Sequence, residues 1–203
     1  MKIELRADNS ACIEGYVNVV GRESRVIQGP DGPFVEVVAP NTFAKTLEKR
    51  AAVQLQLDHE KPLGGTDKGN LQLHEDNIGL YARAETSDED VISAAKKKQL
   101  RGWSFSFKPI KQRLETRADG MPKRILTEID MLEVSIIDTK KIPVYTATSI
   151  EMRATGDNAI EFRAIYEDES IEIIDNKPAK KLESGPDITL LQHKIKLMRM
   201  KGR

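Results

Sequence analysis

Apolar and polar residues alternate over short stretches in the first three-quarters of the chain, which is the pattern of β-strands. The alternation is strict from 53 to 57, where Val53, Leu55 and Leu57 are separated by glutamines. Further apolar or alternating stretches predict strands at 13–20, 34–38, 71–73, 79–84, 103–107 and 125–137. A turn-like Glu-Asp-Asn cluster at 75–77 separates two of these strands and predicts a hairpin.

Two helices are predicted between the strands. The first begins near residue 40 and runs to about residue 50. The second begins at Ser87, which has capping-box spacing to Asp90, and its apolar face consists of Val91, Ile92, Ala95 and Leu100. Together, the strands and helices predict an α+β fold that is mainly β.

The composition changes after Arg153. Residues 154–187 are rich in glycine and in charged and amide side chains, so we expect a flexible linker or extension with a weak strand at 171–174. Residues 188–203 are expected to form a basic amphipathic helix, whose apolar positions are Ile188, Leu191, Ile195 and Met198. The predicted organisation is therefore a principal domain at 1–153, a linker at 154–187 and a C-terminal helix at 188–203.

Charge and composition exclude several classes of partner and cofactor. The chain has 32 basic and 32 acidic residues, so it lacks the overall positive charge that nucleic-acid binding usually needs. No stretch approaches the roughly 20 apolar residues of a membrane span, and Cys12, the single cysteine, cannot form an intramolecular disulfide. The three histidines, His59, His74 and His193, are too scattered for a metal motif, so we expect no metal and no cofactor.

His59 is the first candidate for chemistry. It lies where the alternating strand at 53–57 ends, in a turn that contains Pro62 and Gly64. A strand end holds a side chain in place while leaving it accessible, as a general base requires. Taken alone, a histidine at such a position is more often structural than catalytic.

The second candidate is a pair of serines on one predicted strand. Trp103, Phe105 and Phe107 share one face of this strand, and Ser104 and Ser106 share the other. This arrangement offers a hydroxyl nucleophile opposite an aromatic core. An ordinary edge strand, with its serines in solvent, would show the same pattern.

The third candidate is Glu133 on the strand at 125–137. If Leu132, Val134 and Ile136 face the core, Glu133 and Ser135 project from the opposite face. A carboxylate there could orient a neighbouring imidazole so that its other nitrogen accepts a hydroxyl proton. An exposed glutamate without such a partner is the alternative.

Several stretches resemble the prohead proteases of tailed phages, a family distantly related to the herpesvirus assemblins. The matching stretches span about residues 11–152 in the family's order: 14–16 (EGY), 34–43 (FVEVVAPNTF), 53–64 (VQLQLDHEKPLG), 79–80 (GL), 102–107 (GWSFSF) and 132–135 (LEVS). The resemblance implies a small antiparallel barrel-like sheet flanked by helices. It also implies a Ser–His protease that processes capsid components.

The resemblance assigns His59 as the base and Ser104 as the nucleophile. Glu133 matches the LEVS position and is the implied third member, with Asp130 and Asp138 as alternatives. Ser106 occupies a position that is often glycine in the family, so it is a competing or assisting hydroxyl. Assemblins use a second histidine instead of an acid, but His74 precedes the serine and does not match that order.

The implied function is that of a prohead serine endopeptidase acting through an acyl-enzyme. Its expected substrates are the scaffolding segment of the major capsid protein and the chain itself, in the host cytoplasm inside the assembling prohead. The portal is a further expected partner, and a homo-oligomer is compatible with the sequence. The alternative is a non-catalytic capsid assembly or scaffolding protein on the same fold, and a small-barrel nucleic-acid module ranks last because aromatic residues make up only 5% of the chain.

Overall fold

The computed structural model describes residues 1–49, 52–139, 160–166 and 171–176. Of these residues, 59% are in strands and 12% in helices, which confirms the predicted α+β fold with mainly β structure. No helix within these ranges is both long enough and apolar enough to cross a membrane. The helix predicted at 188–203 lies outside the described residues, and the domain boundaries at 153 and 187 stay predictions.

The described residues form twelve strands and two helices. The helices are α1 (Thr42–Lys49) and α2 (Glu89–Lys96). The strands are β1 (Lys2–Leu5), β2 (Ala11–Val19), β3 (Ile27–Gly29), β4 (Gly32–Val38), β5 (Gln54–Leu57), β6 (Lys61–Gly65), β7 (Leu71–Glu75), β8 (Gly79–Thr86), β9 (Leu100–Thr116), β10 (Pro122–Asp138), β11 (Glu161–Tyr166) and β12 (Glu172–Asp175).

The strands form two sheets. One has the order β12-β1-β2-β8-β7, in which β7 and β8 form the predicted hairpin. The other has the order β11-β9-β10-β4-β3, and β5 with β6 joins it on β10. The sheets are mixed, because β1–β12, β4–β10 and β5–β10 pair in parallel, and neither described sheet closes into the expected antiparallel barrel. The 17-residue strand β10 can pair with β4 at residues 123–126 and with β5 at residues 133–136.

The aromatic face of β9 lies in the core, as predicted. Trp103, Phe105 and Phe107 are fully buried, and the ring of Phe43 from α1 meets the ring of Phe105 edge to face at 5.4 Å. Helix α1 is also tied to β10, because the Thr46 hydroxyl accepts a hydrogen bond from a backbone amide of that strand at 3.1 Å. The core therefore fixes both β9, the strand that carries Ser104, and its neighbour β10.

Four strands, β1, β3, β6 and β11, were not expected at the positions where they occur. β1, β3 and β6 are short, with three to five residues, and too brief to show a clear alternation. β11 lies in the stretch assigned to a linker, whereas β12 is found where the weak strand at 171–174 was predicted. β9 also continues well beyond residue 107, to Thr116.

Helix α2 is capped by Asp88 rather than by the predicted Ser87. The Asp88 carboxylate accepts hydrogen bonds from the amides of Asp90 and Val91 at 3.0 and 3.3 Å, whereas Ser87 is exposed. Asp88 also forms an ion pair of 2.6 Å with Lys61. Aspartate and serine are equally good N-caps, so the sequence alone did not distinguish the two neighbours.

We expect Asp88→Ala to lower the free energy of unfolding by about 1 kcal/mol, because two amides of the first helical turn lose their acceptor. Ser87→Ala should change it by no more than about 0.5 kcal/mol. Asp88→Asn keeps the capping oxygen and removes the charge. Its loss in the free energy of unfolding should therefore lie between those of Ser87→Ala and Asp88→Ala. Urea unfolding of the three variants beside the wild type measures the difference, and equal losses for Ser87→Ala and Asp88→Ala would contradict the assignment of the cap.

Candidate active site

The register between β9 and β10 brings four polar side chains together. Ser104 lies opposite Ser135, and Ser106 lies opposite Glu133. Residues paired across antiparallel strands share a face, so these side chains form one polar patch. All four are buried, with Ser104 only 1% exposed. The two serines of β9 therefore do not lie on a solvent-facing edge.

A β-bulge at Leu132 sets the orientation of Glu133. Met131 pairs with Phe107 and Glu133 with Ser106, so Leu132 is an extra residue on β10. Because of this insertion, Met131 points into the core while Glu133 points to the polar patch. The prediction that Leu132 faces the core was wrong, since this side chain is only half-buried. The prediction that Glu133 and Ser135 face away from the core holds.

Strand β5 places His59 beside this polar patch. It runs parallel to β10 and ends at Leu57, which pairs with Ile136. In the turn that follows, the His59 amide donates a hydrogen bond to Ser135 Oγ at 3.2 Å. The imidazole Nδ1 contacts the carboxylate of Glu133. Pairing with a carboxylate favours the tautomer that carries its proton on Nδ1, which leaves Nε2 as a proton acceptor.

The turn that carries His59 has an unfavourable backbone conformation. Asp58 and His59 adopt left-handed φ angles of 53° and 61°, at a cost of roughly 1–2 kcal/mol for each residue. Hydrogen bonds offset this cost: the Asp58 amide donates to the Ile136 carbonyl at 2.9 Å, and the Asp58 carboxylate accepts from the Asp138 amide at 2.9 Å. Asp58 therefore positions the histidine that follows it.

Strand β11 covers Ser104. It pairs antiparallel with β9, with Ala164 opposite Ser104. The Ser104 hydroxyl donates a hydrogen bond to the carbonyl oxygen of Arg163 at 2.8 Å, so its proton points to β11 in this arrangement. The ring of Phe162 meets the His59 ring edge to face at 4.8 Å. Both candidate catalytic side chains are thus in contact with β11.

Four buried charged side chains hold β11 on the sheet. Arg163 forms a bidentate pair with Glu36 of β4, at 2.7 and 2.8 Å. Arg124 of β10 forms a bidentate pair with Glu161, at 2.7 and 2.8 Å. The two pairs are joined, because Arg163 Nη2 also donates to Glu161 at 2.6 Å and Arg124 Nη1 lies 3.3 Å from Glu36. This cluster contains two acids and two bases and has no net charge.

The cluster shifts the pKa values of Glu161 and Arg163. Burial opposes ionisation of Glu161, but the hydrogen bond from Arg124 and the charge of Arg163 outweigh it and lower the pKa of this carboxyl. Burial alone would lower the pKa of Arg163, yet the charge of Glu36 raises it above its usual value. Because the pKa of Glu161 is depressed, its stabilisation is present at neutral pH and is lost as the pH falls through that pKa.

The remaining candidates lie elsewhere or do not fit. His74 is exposed on β7, where its ring lies 5.3 Å from that of Tyr81. Burial raises the pKa of the Cys12 thiol, which disfavours the nucleophilic thiolate. The carboxylate against His59 is Glu133, not Asp130 or Asp138. His193 lies outside the described residues, and within them no group of three or more His, Cys, Asp or Glu side chains could hold a metal ion.

Sequence reasoning did not find three residues that contact this site. Asp58 and Ser135 adjoin residues that were singled out, but nothing in the sequence indicated that both would hydrogen-bond at the histidine turn. Arg163 lay in the predicted linker. Its burial depends on Glu36, which lies 127 positions earlier in the chain, so no local signal could reveal it.

Comparison with protein-family models gives a match over most of the chain. The family model of the caudovirus prohead serine protease matches residues 1–161. This range includes β1 to β10 and contains all of the polar patch and the histidine turn. No curated protein and no solved structure matches the chain.

We expect Asp58→Ala to lower the free energy of unfolding by about 1–3 kcal/mol. The substitution leaves the buried Asp138 amide without its acceptor, and alanine tolerates a left-handed φ less well than aspartate does. Asp31→Ala, in the exposed turn between β3 and β4, is the matched control and should change it by no more than about 0.5 kcal/mol. Chemical denaturation measures both, and equal stability of the two variants would contradict the role given to Asp58.

Proposed function

We propose, from the premise that this chain belongs to the caudovirus prohead serine protease family, that Ser104, His59 and Glu133 form its catalytic triad. The observation that carries the proposal is the contact of His59 Nδ1 with Glu133 on the same polar patch as Ser104. A carboxylate, an imidazole and a serine in this order are the parts that activate a hydroxyl nucleophile.

The proposed reaction is peptide-bond hydrolysis through an acyl-enzyme. The Ser104 hydroxyl turns from the Arg163 carbonyl towards His59 and attacks the scissile carbonyl carbon, and His59 Nε2 takes its proton. His59 then gives this proton to the leaving amine, and water hydrolyses the ester with the same base. Glu133 fixes the imidazole tautomer and stabilises the imidazolium that forms in between.

The proposed substrates are the scaffolding segment of the major capsid protein and the chain itself, with the portal as a further partner. Processing takes place in the host cytoplasm, inside the assembling prohead. Self-cleavage is proposed within residues 154–203, beyond the principal domain. A non-catalytic assembly protein would not need a carboxylate–imidazole pair beside a buried serine, so the geometry favours the protease.

Intact mass followed over time tests the reaction and its nucleophile together. We expect the wild type to shorten at discrete sites within 154–203, while Ser104→Ala stays whole because it lacks the attacking oxygen. Ser106→Ala is the matched control, two residues along the same face, and should shorten like the wild type. If Ser106→Ala stays whole and Ser104→Ala is cleaved, the nucleophile is Ser106 and not Ser104. If every chain stays intact, even when mixed with a capsid scaffolding segment, the assembly function becomes the better assignment.

The role of Glu133 is tested by Glu133→Gln. We expect the rate constant of self-cleavage to fall on the order of 10³–10⁴-fold, because an amide no longer stabilises the imidazolium or selects the tautomer. Asp130→Asn tests the competing acid on the same strand and should leave the rate within about threefold of wild type. Circular dichroism checks that both variants are folded. If folded Glu133→Gln cleaves itself at the wild-type rate, Glu133 is not a member of the triad.

A further inference from the structure

Strand β11 is bound to the sheet in the way that a protease substrate is bound. It is a short extended segment that adds to the edge of β9 in antiparallel register over residues 102–107. Main-chain pairing of this kind supplies affinity in many peptide-binding proteins, and side-chain pockets supply specificity. The strand that β11 pairs with is the one that carries the proposed nucleophile.

The register places one peptide bond of β11 at the reactive groups. The carbonyl oxygen of Arg163 lies 2.8 Å from Ser104 Oγ, and Ala164 is the residue opposite Ser104. The side chain that precedes Arg163, Phe162, packs against His59. The bond between Arg163 and Ala164 is therefore the bond of β11 whose carbonyl contacts the hydroxyl, and the residue before it contacts the imidazole.

The charged residues that receive β11 belong to the principal domain. Glu36 and Arg124 lie on β4 and β10, 3.3 Å apart, and each is matched by an opposite charge on β11. The guanidinium of Arg163 pairs with Glu36 at two positions and lies 5.2 Å from the centre of the Phe107 ring. Planar bidentate pairing with a carboxylate distinguishes arginine from other side chains.

We propose that residues 161–164 are a substrate bound in cis, and that the chain cuts itself between Arg163 and Ala164. In this arrangement Glu36 and Phe107 form the pocket for an arginine immediately before the cleaved bond. Arg124 binds an acidic residue two positions earlier, which is Glu161 in this chain. The inference rests on the proposed protease function and names its specificity.

The sequence contains the same pattern a second time. Glu161-Phe162-Arg163-Ala164 has a counterpart ten positions earlier, at 151–154 (EMRA). The two segments share the acid, an apolar residue, the arginine and the small residue that follows it. The repeat agrees with recognition of an acid, an apolar residue and an arginine in succession.

The proposed cut balances without any further reactant except water. Ser104 Oγ forms an ester bond with the carbonyl carbon of Arg163, and the C–N bond to Ala164 breaks. The hydroxyl proton passes through His59 to the amine of Ala164, which leaves as a new N-terminus. Water then hydrolyses the ester, which releases the Arg163 carboxylate and restores the serine hydroxyl.

The position of the cut is measured on the full wild-type chain, by N-terminal sequencing and intact mass of the fragments. We expect a C-terminal fragment that begins at Ala164, with a rate constant that does not change on dilution because the strand is bound in cis. Ser104-dependent fragments that never begin at Ala164 would overturn the assignment. A rate proportional to the protein concentration would overturn binding in cis. Neither measurement requires a variant of β11 to fold.

The arginine pocket is measured with two peptides, one containing Glu-Phe-Arg-Ala and the other Glu-Phe-Gln-Ala, each added in excess to the self-cleaved protein. We expect kcat/KM to be about 10- to 100-fold lower for the glutamine peptide, because a charge-assisted pair is lost. In Glu36→Gln the difference between the peptides should shrink towards unity, whereas the exposed Glu23→Gln, as matched control, should keep it. Equal cleavage of the peptides by the wild type would overturn the pocket.

The protease function and the cleavage site at Arg163 can be disproved separately. If the chain and the peptides are cut at other bonds, and Ser104→Ala abolishes that cutting, the protease function stands and this inference fails. If neither the chain, the peptides nor a capsid scaffolding segment is cut, both fail together. Arg163→Ala tests the pocket in cis: it should abolish the fragment that begins at Ala164, and persistence of that fragment would overturn recognition of the arginine.

Discussion

Antiparallel pairing of β9 with β10 fixes the position of each proposed catalytic group. Each strand has 17 residues, and their register sets Ser104 against Ser135 and Ser106 against Glu133. The opposite face of β9 carries three buried aromatic rings, so a slip of one residue would place serines in the core and rings in the polar patch. The aromatic core thus maintains the register, and the register maintains the site. The histidine turn also depends on β10, because the parallel pairing of β5 with β10 determines where this turn lies.

The buried charges add a second constraint of a different kind. A single buried carboxylate or guanidinium would be strongly destabilising, and only complete pairing makes the cluster at β11 acceptable. Glu36 and Arg124 already adjoin each other without β11, so the principal domain keeps a compensated pair when that strand is absent. A matching acid and base on an incoming strand complete the cluster, whereas a strand with one charge would leave another unpaired. The cluster can therefore be stable and can also select an incoming strand that carries both an acid and a base.

The pattern of apolar residues predicted the central strands and the two helices, because these elements depend mainly on nearby residues. Alternation of apolar residues revealed the central strands, since side chains of a strand alternate between its faces, and the two helices were found at nearly the correct positions. The bulge at Leu132 was missed because an inserted residue is visible only against the partner strand. β11 was missed because Glu161 and Arg163 suggest solvent, and their burial depends on distant partners. The resemblance supplied the family and the candidates His59, Ser104 and Glu133, while their roles remain proposals.

Pairing with β11 also bears on the solubility of the protein. The segment from Gly102 to Phe107 has three aromatic rings and no charge, a composition typical of strands that form intermolecular sheets when their edges are free. β10 covers one edge of this segment and β11 covers the other. Loss of β11 would expose a row of unpaired backbone groups beside those rings. The strand that contacts the proposed nucleophile thus also covers an edge of the kind that promotes aggregation, and its loss would leave that edge open unless another polypeptide paired with it.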